Sequence, residues 1–202
     1  MKLFYTPSSP FVRKVVVSAY ETGQSLEFLP CLARPTTPDP KILPHNPSGK
    51  IPTLLISDDL ALYDSRVITR WLDTQHQGPK LYPDGDALWP VLRREATADG
   101  LLEAAMLIRY ETVLRPSELR WPAWIKDQRE KIDRALARME LDVGEYIGVD
   151  AGWIATACAI DFINFRFPDW NWESNSPRLA EWFRTFAQRP SMQATAPTDR
   201  GR

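Results

Sequence analysis

Strand-like apolar pieces come first along this chain, and helical spacing takes over later. Lys2-Leu3-Phe4-Tyr5 reads as a short strand stopped by Pro7, and Leu26-Glu27-Phe28-Leu29 as a second. Between them, Val12, Val15, Val16 and Ala19 recur at helical spacing from Phe11 to Glu21, and Gly23 is a natural helix stop. Pro30 through Pro47 is a proline-rich connection with room for one short helix. Thr53-Leu54-Leu55-Ile56-Ser57 and Leu60-Ala61-Leu62-Tyr63 flank Asp58-Asp59 as a hairpin, and a helix carrying Val67, Ile68, Trp71 and Leu72 runs from Ser65 to about Gln75. The order βαβαββα has a parallel crossover first and a hairpin later, which predicts a mixed four-stranded sheet with helices on it.

The turn-rich stretch from His76 to Gly85 ends that pattern and makes a linker, after which strand signals stop. Asp86 can cap a helix reaching about Tyr110. A helix from about Pro122 carries Trp124, Ile125, Ile132, Leu136 and Met139 on one face. Ile154 to Phe165 has few charges and predicts a buried central helix; Pro177 opens a last one with Leu179, Trp182, Phe183 and Phe186 inward. The expected division is an α/β domain over 1–77, a linker over 78–86 and an all-helical bundle over 87–202.

Composition narrows the class. A hydrophobic content of 44% with 25% charged residues is that of an ordinary globular protein. The formal net charge of -1 provides no global field for nucleic acid or an anionic membrane. Cys31 and Cys158 give neither zinc spacing nor a disulfide framework, so no metal is expected and a reducing compartment suits the chain. The first residues lack the apolar run of a signal peptide and no segment could span a bilayer, so a cytoplasmic location is the expectation. Most of the tryptophans belong to the core by size. Trp170 and Trp172 are candidates for lining a site for a flat apolar ligand.

Chemistry concentrates in the first half. In Asn46-Pro47-Ser48-Gly49-Lys50-Ile51-Pro52-Thr53-Leu54 a rigid turn enters a short strand. Pro52 cannot donate to a sheet ladder, which places it at an edge, a strand start or a cis turn. A cis Ile51-Pro52 bond would leave the Ile51 carbonyl and amide free to pair with an extended peptide-like ligand. Asp64 and Ser65 stand at a helix N-terminus, where unpaired amides and the dipole favour a carboxylate. Ser8 and Ser9 lie between a strand and a helix, where an anion would meet the same environment. Plain N-capping is the ordinary role for such a serine. His45 and His76 show no partner spacing and read as surface residues.

These motifs together resemble the glutathione S-transferase family. The turn Gly49-Lys50-Ile51-Pro52-Thr53-Leu54 and the helix start Asp64-Ser65 are similar to its glutathione-binding half. Ser8-Ser9-Pro10-Phe11-Val12-Arg13-Lys14 resembles its activating loop. Trp182-Phe183 with Arg189-Pro190-Ser191-Met192-Gln193-Ala194-Thr195 resembles its closing helix. The resemblance implies a thioredoxin-like N-terminal domain, a C-terminal helical bundle and a homodimer of bacterial type with a serine in the active site.

It also implies roles. Ser9 would stabilise the glutathione thiolate, with Ser8 and Tyr5 as rivals, although Tyr5 inside its strand reads better as core. Ile51, held by Pro52, would pair with the cysteinyl part of glutathione. Asp64 would accept from its α-ammonium, Ser65 would donate to the γ-glutamyl carboxylate, and Lys50 would reach the glycyl carboxylate. Asp99 would reach the partner subunit's glutathione. Leu102, Met106, Arg109 and Tyr110 would line the pocket for an apolar electrophile. Arg13 reads as a surface residue. Serine in place of a redox cysteine disfavours thiol exchange but is compatible with peroxide reduction by bound glutathione. A non-catalytic binding or regulatory protein on the same fold is the alternative. One departure stands out: the family's central helix usually opens with Ser or Thr followed three residues on by Asp, and here the pair is Asp150 and Trp153.

Overall fold

The structure, a computed structural model, describes residues 1–32 and 34–199. Strand β1 (Lys2–Tyr5) puts Leu3 on one face of a sheet and Phe4 on the other, as the pleat requires. Parallel β2 (Glu27–Pro30) flanks it on one side. Antiparallel β3 (Thr53–Leu55) and β4 (Ala61–Leu62) follow on the other, giving the order β2-β1-β3-β4. Leu3 and Leu54 pack under Val12, Val15 and Ala19 of α1 (Pro10–Glu21) and under Ile68 and Leu72 of α2 (Ser65–Asp73). Phe4 packs on the opposite face against Cys31 and Ile42.

The mixed four-stranded sheet with helices is as the pattern predicts, but the helix allowed for between β2 and β3 does not form. Turns over residues 40–45 take its place, closed by Ile42 N–H to Asp39 O and Asn46 N–H to Ile42 O. Prolines at 35, 38, 40, 44 and 47 withhold the amides a longer helix needs. Gly49 is irreplaceable in the turn that follows. Its φ is +63°, and a Cβ there would lie 2.8 Å from Pro38 Cβ. The end of α2 is sealed by Asp73, whose carboxylate accepts the amides of Leu81 and Tyr82 and faces His76 Nε2 at 3.1 Å. His76 is therefore half-buried rather than a surface residue.

The chain divides into two units, Met1–Pro83 with the residues from Arg189 onward, and Asp84–Gln188. The helical unit therefore stops at Gln188, and the closing segment α7 (Pro190–Ala194) belongs to the first unit.

In the helical unit, α3 (Leu88–Arg109) and α4 (Pro122–Asp142) pack with α5 (Ala151–Arg166) and α6 (Pro177–Phe186). Residues 151–160 of α5 are all buried. Gly152 allows α5 to approach α3, since a Cβ there would sit 2.7 Å from Val91 O. Asp86 lies inside a 3-10 turn, Gly85–Ala87, and does not cap α3. Trp172 is buried with its Nε1 donating to Asn164, and Trp170 stacks on Phe167 beneath Arg129, so both rings serve packing. Among the described residues no helix is long and apolar enough to cross a membrane.

Candidate functional site

Ser9 is the N-cap of α1. Its backbone is extended, and its Oγ accepts the Val12 amide at 3.3 Å. The hydroxyl proton has no acceptor among the described residues, so the N-cap bond and donation to a ligand are compatible at one oxygen. Ser8 is half-buried beside it, and its hydroxyl has no hydrogen-bond partner among the described residues. Tyr5 lies within β1 with its ring 4.6 Å from that of Phe28, and its carbonyl accepts the Cys31 amide. Cys31 offers no reactive thiolate here: burial pushes its thiol up, outweighing the hydrogen bonds it receives.

At the other end of the sheet, Asn46 organises the turn before β3. Its amide donates to Lys50 O and to Thr53 Oγ1, both at 3.0 Å. The Lys50 side chain is left exposed. The Ile51-Pro52 bond is cis, and the Ile51 amide and carbonyl have no hydrogen-bond partner among the described residues. Asp64 caps α2 through Oδ1, which accepts the Arg66 amide at 2.9 Å. Ser65 is only 2% exposed, and its carbonyl accepts the Thr69 hydroxyl. Its own amide and hydroxyl have no partner among the described residues, which leaves two donors aimed from the positive end of a helix.

A cavity of about 320 Å³ opens beside Ser9, walled by Tyr5, Val12, Arg13, Phe28 and Thr195. Ile51, Pro52, Asp64 and Ser65 do not line it. Of those four residues Asp64 is exposed and Ile51 half-buried, whereas Pro52 and Ser65 are buried.

The structure corrects several expectations. Arg13 is 5% exposed and bonded to the C-terminal segment, not a surface residue. The spacing of the sequence carries no sign of that contact. Asp99 is 1% exposed within the helical unit. Leu102 is fully buried in the core of the same unit, whereas Met106, Arg109 and Tyr110 are half-buried. Beyond Arg109 the helix continues as a π-helical turn, Tyr110–Leu114, a distortion often found at functional sites. Burial pushes the Tyr110 phenol up against the nearby Arg109 charge, which keeps it a neutral donor.

Three comparisons bear on this arrangement. The family model for the N-terminal domain of glutathione S-transferases matches residues 3–80. The uncharacterized GST-like protein YibF of Escherichia coli (strain K12) is 31% identical over 205 residues, covering 98% of each chain. A glutathione transferase family member from Pseudomonas fluorescens Pf-5, solved with bound glutathione, superposes with a TM-score of 0.93 at 43% identity over 98% of both chains. A second structure, likewise described as a family member from Pf-5 and holding S-(propanoic acid)-glutathione, gives 0.88 at 42% identity, covering 98% of this chain and 99% of that one. With a thioredoxin-like unit and a helical unit carrying the full-length match, the chain belongs to the glutathione S-transferase family.

Proposed function

We propose that this protein binds glutathione and stabilises its thiolate through Ser9 for attack on an apolar electrophile. The observation that carries this reading is the Ser9 hydroxyl, whose oxygen takes the Val12 amide while its proton is left to donate. A free thiol has a pKa near ~8.5, and each unit of lowering needs about 1.4 kcal/mol of preference for the anion. A charge-assisted hydrogen bond together with the first turn of α1 supplies roughly one to two units. Glutathione bound there is then largely thiolate at neutral pH, and proximity to the second substrate adds to the rate.

Binding of the tripeptide falls to the residues around the cis Ile51-Pro52 bond and the start of α2. The Ser65 amide and hydroxyl take the γ-glutamyl carboxylate, Asp64 takes the ammonium, the Ile51 backbone pairs with the cysteinyl unit, and Lys50 reaches the glycyl carboxylate. The glutathione and glutathione adduct held by the Pseudomonas relatives support this choice of ligand. Met106, Arg109 and Tyr110 are the residues proposed to meet the electrophile. Glutathione-dependent peroxide reduction fits the same site, because it requires no protein thiol.

A homodimer belongs to this reading. Trp89 and Leu107 are large apolar side chains left exposed on α3, which supports an interface on that helix. Cys31 and Cys158 are buried and form no disulfide among the described residues, which suits a cytoplasmic protein.

A calorimetric titration with glutathione, with thiolate absorbance followed against pH, tests the proposal. Saturable binding with a thiol pKa clearly below that of free glutathione is the expected result. Binding without that drop would make the protein a carrier or sensor, and no binding would leave partner recognition as its use of the fold.

A further inference from the structure

The C-terminal segment runs antiparallel to α1 and grips it at both ends. Near the N-terminal end, Arg13 donates from Nη2 to Met192 O at 3.0 Å and from Nε to Thr195 Oγ1 at 3.3 Å. Thr195 Oγ1 directs its own proton to Ser191 O at 2.7 Å, so its lone pair is available to Arg13. Near the C-terminal end, Glu21 takes a two-pronged contact from Arg189 at 2.9 and 2.7 Å and a hydrogen bond from the Ser191 hydroxyl. The two grips are eight residue steps apart along α1, roughly 12 Å of helix.

The first of these grips lies one turn from Ser9. The Arg13 amide donates to Ser9 O at 3.0 Å, closing the first turn whose N-cap is the Ser9 side chain. Arg13, Thr195 and Ser9 also line one cavity. The guanidinium therefore ties the turn that aims the Ser9 hydroxyl to backbone and hydroxyl groups fixed elsewhere in the unit. Being nearly fully buried and planar, it holds two acceptors in a fixed fork, which an ammonium cannot copy.

We propose that Arg13 is a positioning residue for Ser9, and that the segment from Arg189 to Thr195 is the brace it acts through. Arg13 touches no reacting atom. It sets the direction of the hydroxyl, whereas the grip at Glu21 holds the same segment without reaching the first turn. This inference rests on the reading that Ser9 stabilises a bound thiolate.

The experiment compares the parent protein with Arg13→Gln, Arg13→Lys and Glu21→Gln, measuring glutathione affinity, the thiol pKa of the complex and the thermal midpoint of each. Arg13→Gln is expected to raise the bound thiol pKa by about 0.5–1 unit, with glutathione affinity within about threefold, because Ile51, Asp64 and Ser65 are untouched. Arg13→Lys recovers part of that shift, since one of the two acceptors is still met. Glu21→Gln lowers the midpoint without moving the thiol pKa. A thiol pKa that tracks the thermal midpoint across all three variants would reduce Arg13 to a structural contact and overturn the proposal. So would an Arg13→Gln complex with the parental thiol pKa. A parent protein that leaves the thiol at its free value overturns the reading of Ser9 itself, and this inference with it.

Discussion

The Arg94 guanidinium donates to Asp150 Oδ2 at 2.7 Å, while Asp150 Oδ1 accepts the Trp153 amide at 2.9 Å. Arg94 also lies over the Trp153 ring, 4.7 Å from its centroid. A side chain from α3 thus fixes the cap of α5 from outside the helix. The cap no longer depends on an acid three residues on, where this chain has Trp153 and its family usually has Asp. Asp150→Ala removes the cap and leaves Arg94 with Glu145, at 3.8 Å, as its one ion-pair partner among the described residues. The expected loss is about 3 kcal/mol in urea unfolding. Asp150→Asn keeps the cap and should lose clearly less; equal losses would mean that the cap hydrogen bond adds nothing beyond the ion pair.

Acid should loosen the brace on α1. Burial alone pushes the Glu21 carboxyl up, but hydrogen bonds from Arg189 and Ser191 and the Arg189 charge outweigh it, so the group lies below its ordinary value of 4.5. A lowered folded pKa contributes stability in full above the unfolded pKa, and that contribution is lost as pH falls through the folded one. Glu21→Gln is expected to be about 1 kcal/mol less stable than the parent near neutrality. The gap should narrow as pH falls below 4.5 and close once the pH has passed through the lowered folded pKa. Paired unfolding curves at the two pH values check this, and a gap unchanged in acid would contradict it.

Ser65→Ala should weaken glutathione binding by about 1–2 kcal/mol, roughly tenfold in Kd. Calorimetry is the measurement. The fold should hold, because the Ser65 hydroxyl has no protein partner to lose among the described residues. Unchanged affinity would remove the proposed carboxylate site.

Ser9 has two duties that substitution can separate. Ser9→Ala loses the cap as well as the donor, at about 1 kcal/mol of stability, whereas glycine at an N-cap costs only a few tenths, roughly. Both variants should raise the bound thiol pKa by about one unit. Ser8→Ala should leave it alone. Movement in Ser8→Ala only would transfer the role to Ser8.

What was legible in the sequence follows from how local each signal is. The β1 strand, the capped α2 start at Asp64 and the nearly uncharged α5 announce themselves within a few residues, and they stand where the pattern put them. Arg13 is the opposite case. Its acceptors lie 179 and 182 positions away, so neither periodicity nor spacing could show that it is buried. The missing helix between β2 and β3 was half legible. The prolines withhold the amides of a longer helix, and the turn they leave carries Ile42 to Phe4 and Cys31 under the sheet, a contact no local pattern announces. The π-helical turn after Arg109 left no mark at all, since its residues suit an ordinary helix as well.

Because α7 belongs with residues 1–83, the first unit is discontinuous in the gene's order of synthesis. On a ribosome, the sheet and α1 emerge early, but Glu21 and Arg13 have no Arg189, Met192 or Thr195 to meet until the whole helical unit has been made. A helix synthesised after the whole helical unit is thus the one that completes the packing around α1. A fragment cut at the boundary near Pro83 would carry every residue proposed to hold the tripeptide from Lys50 to Ser65 yet lack the brace beside Ser9.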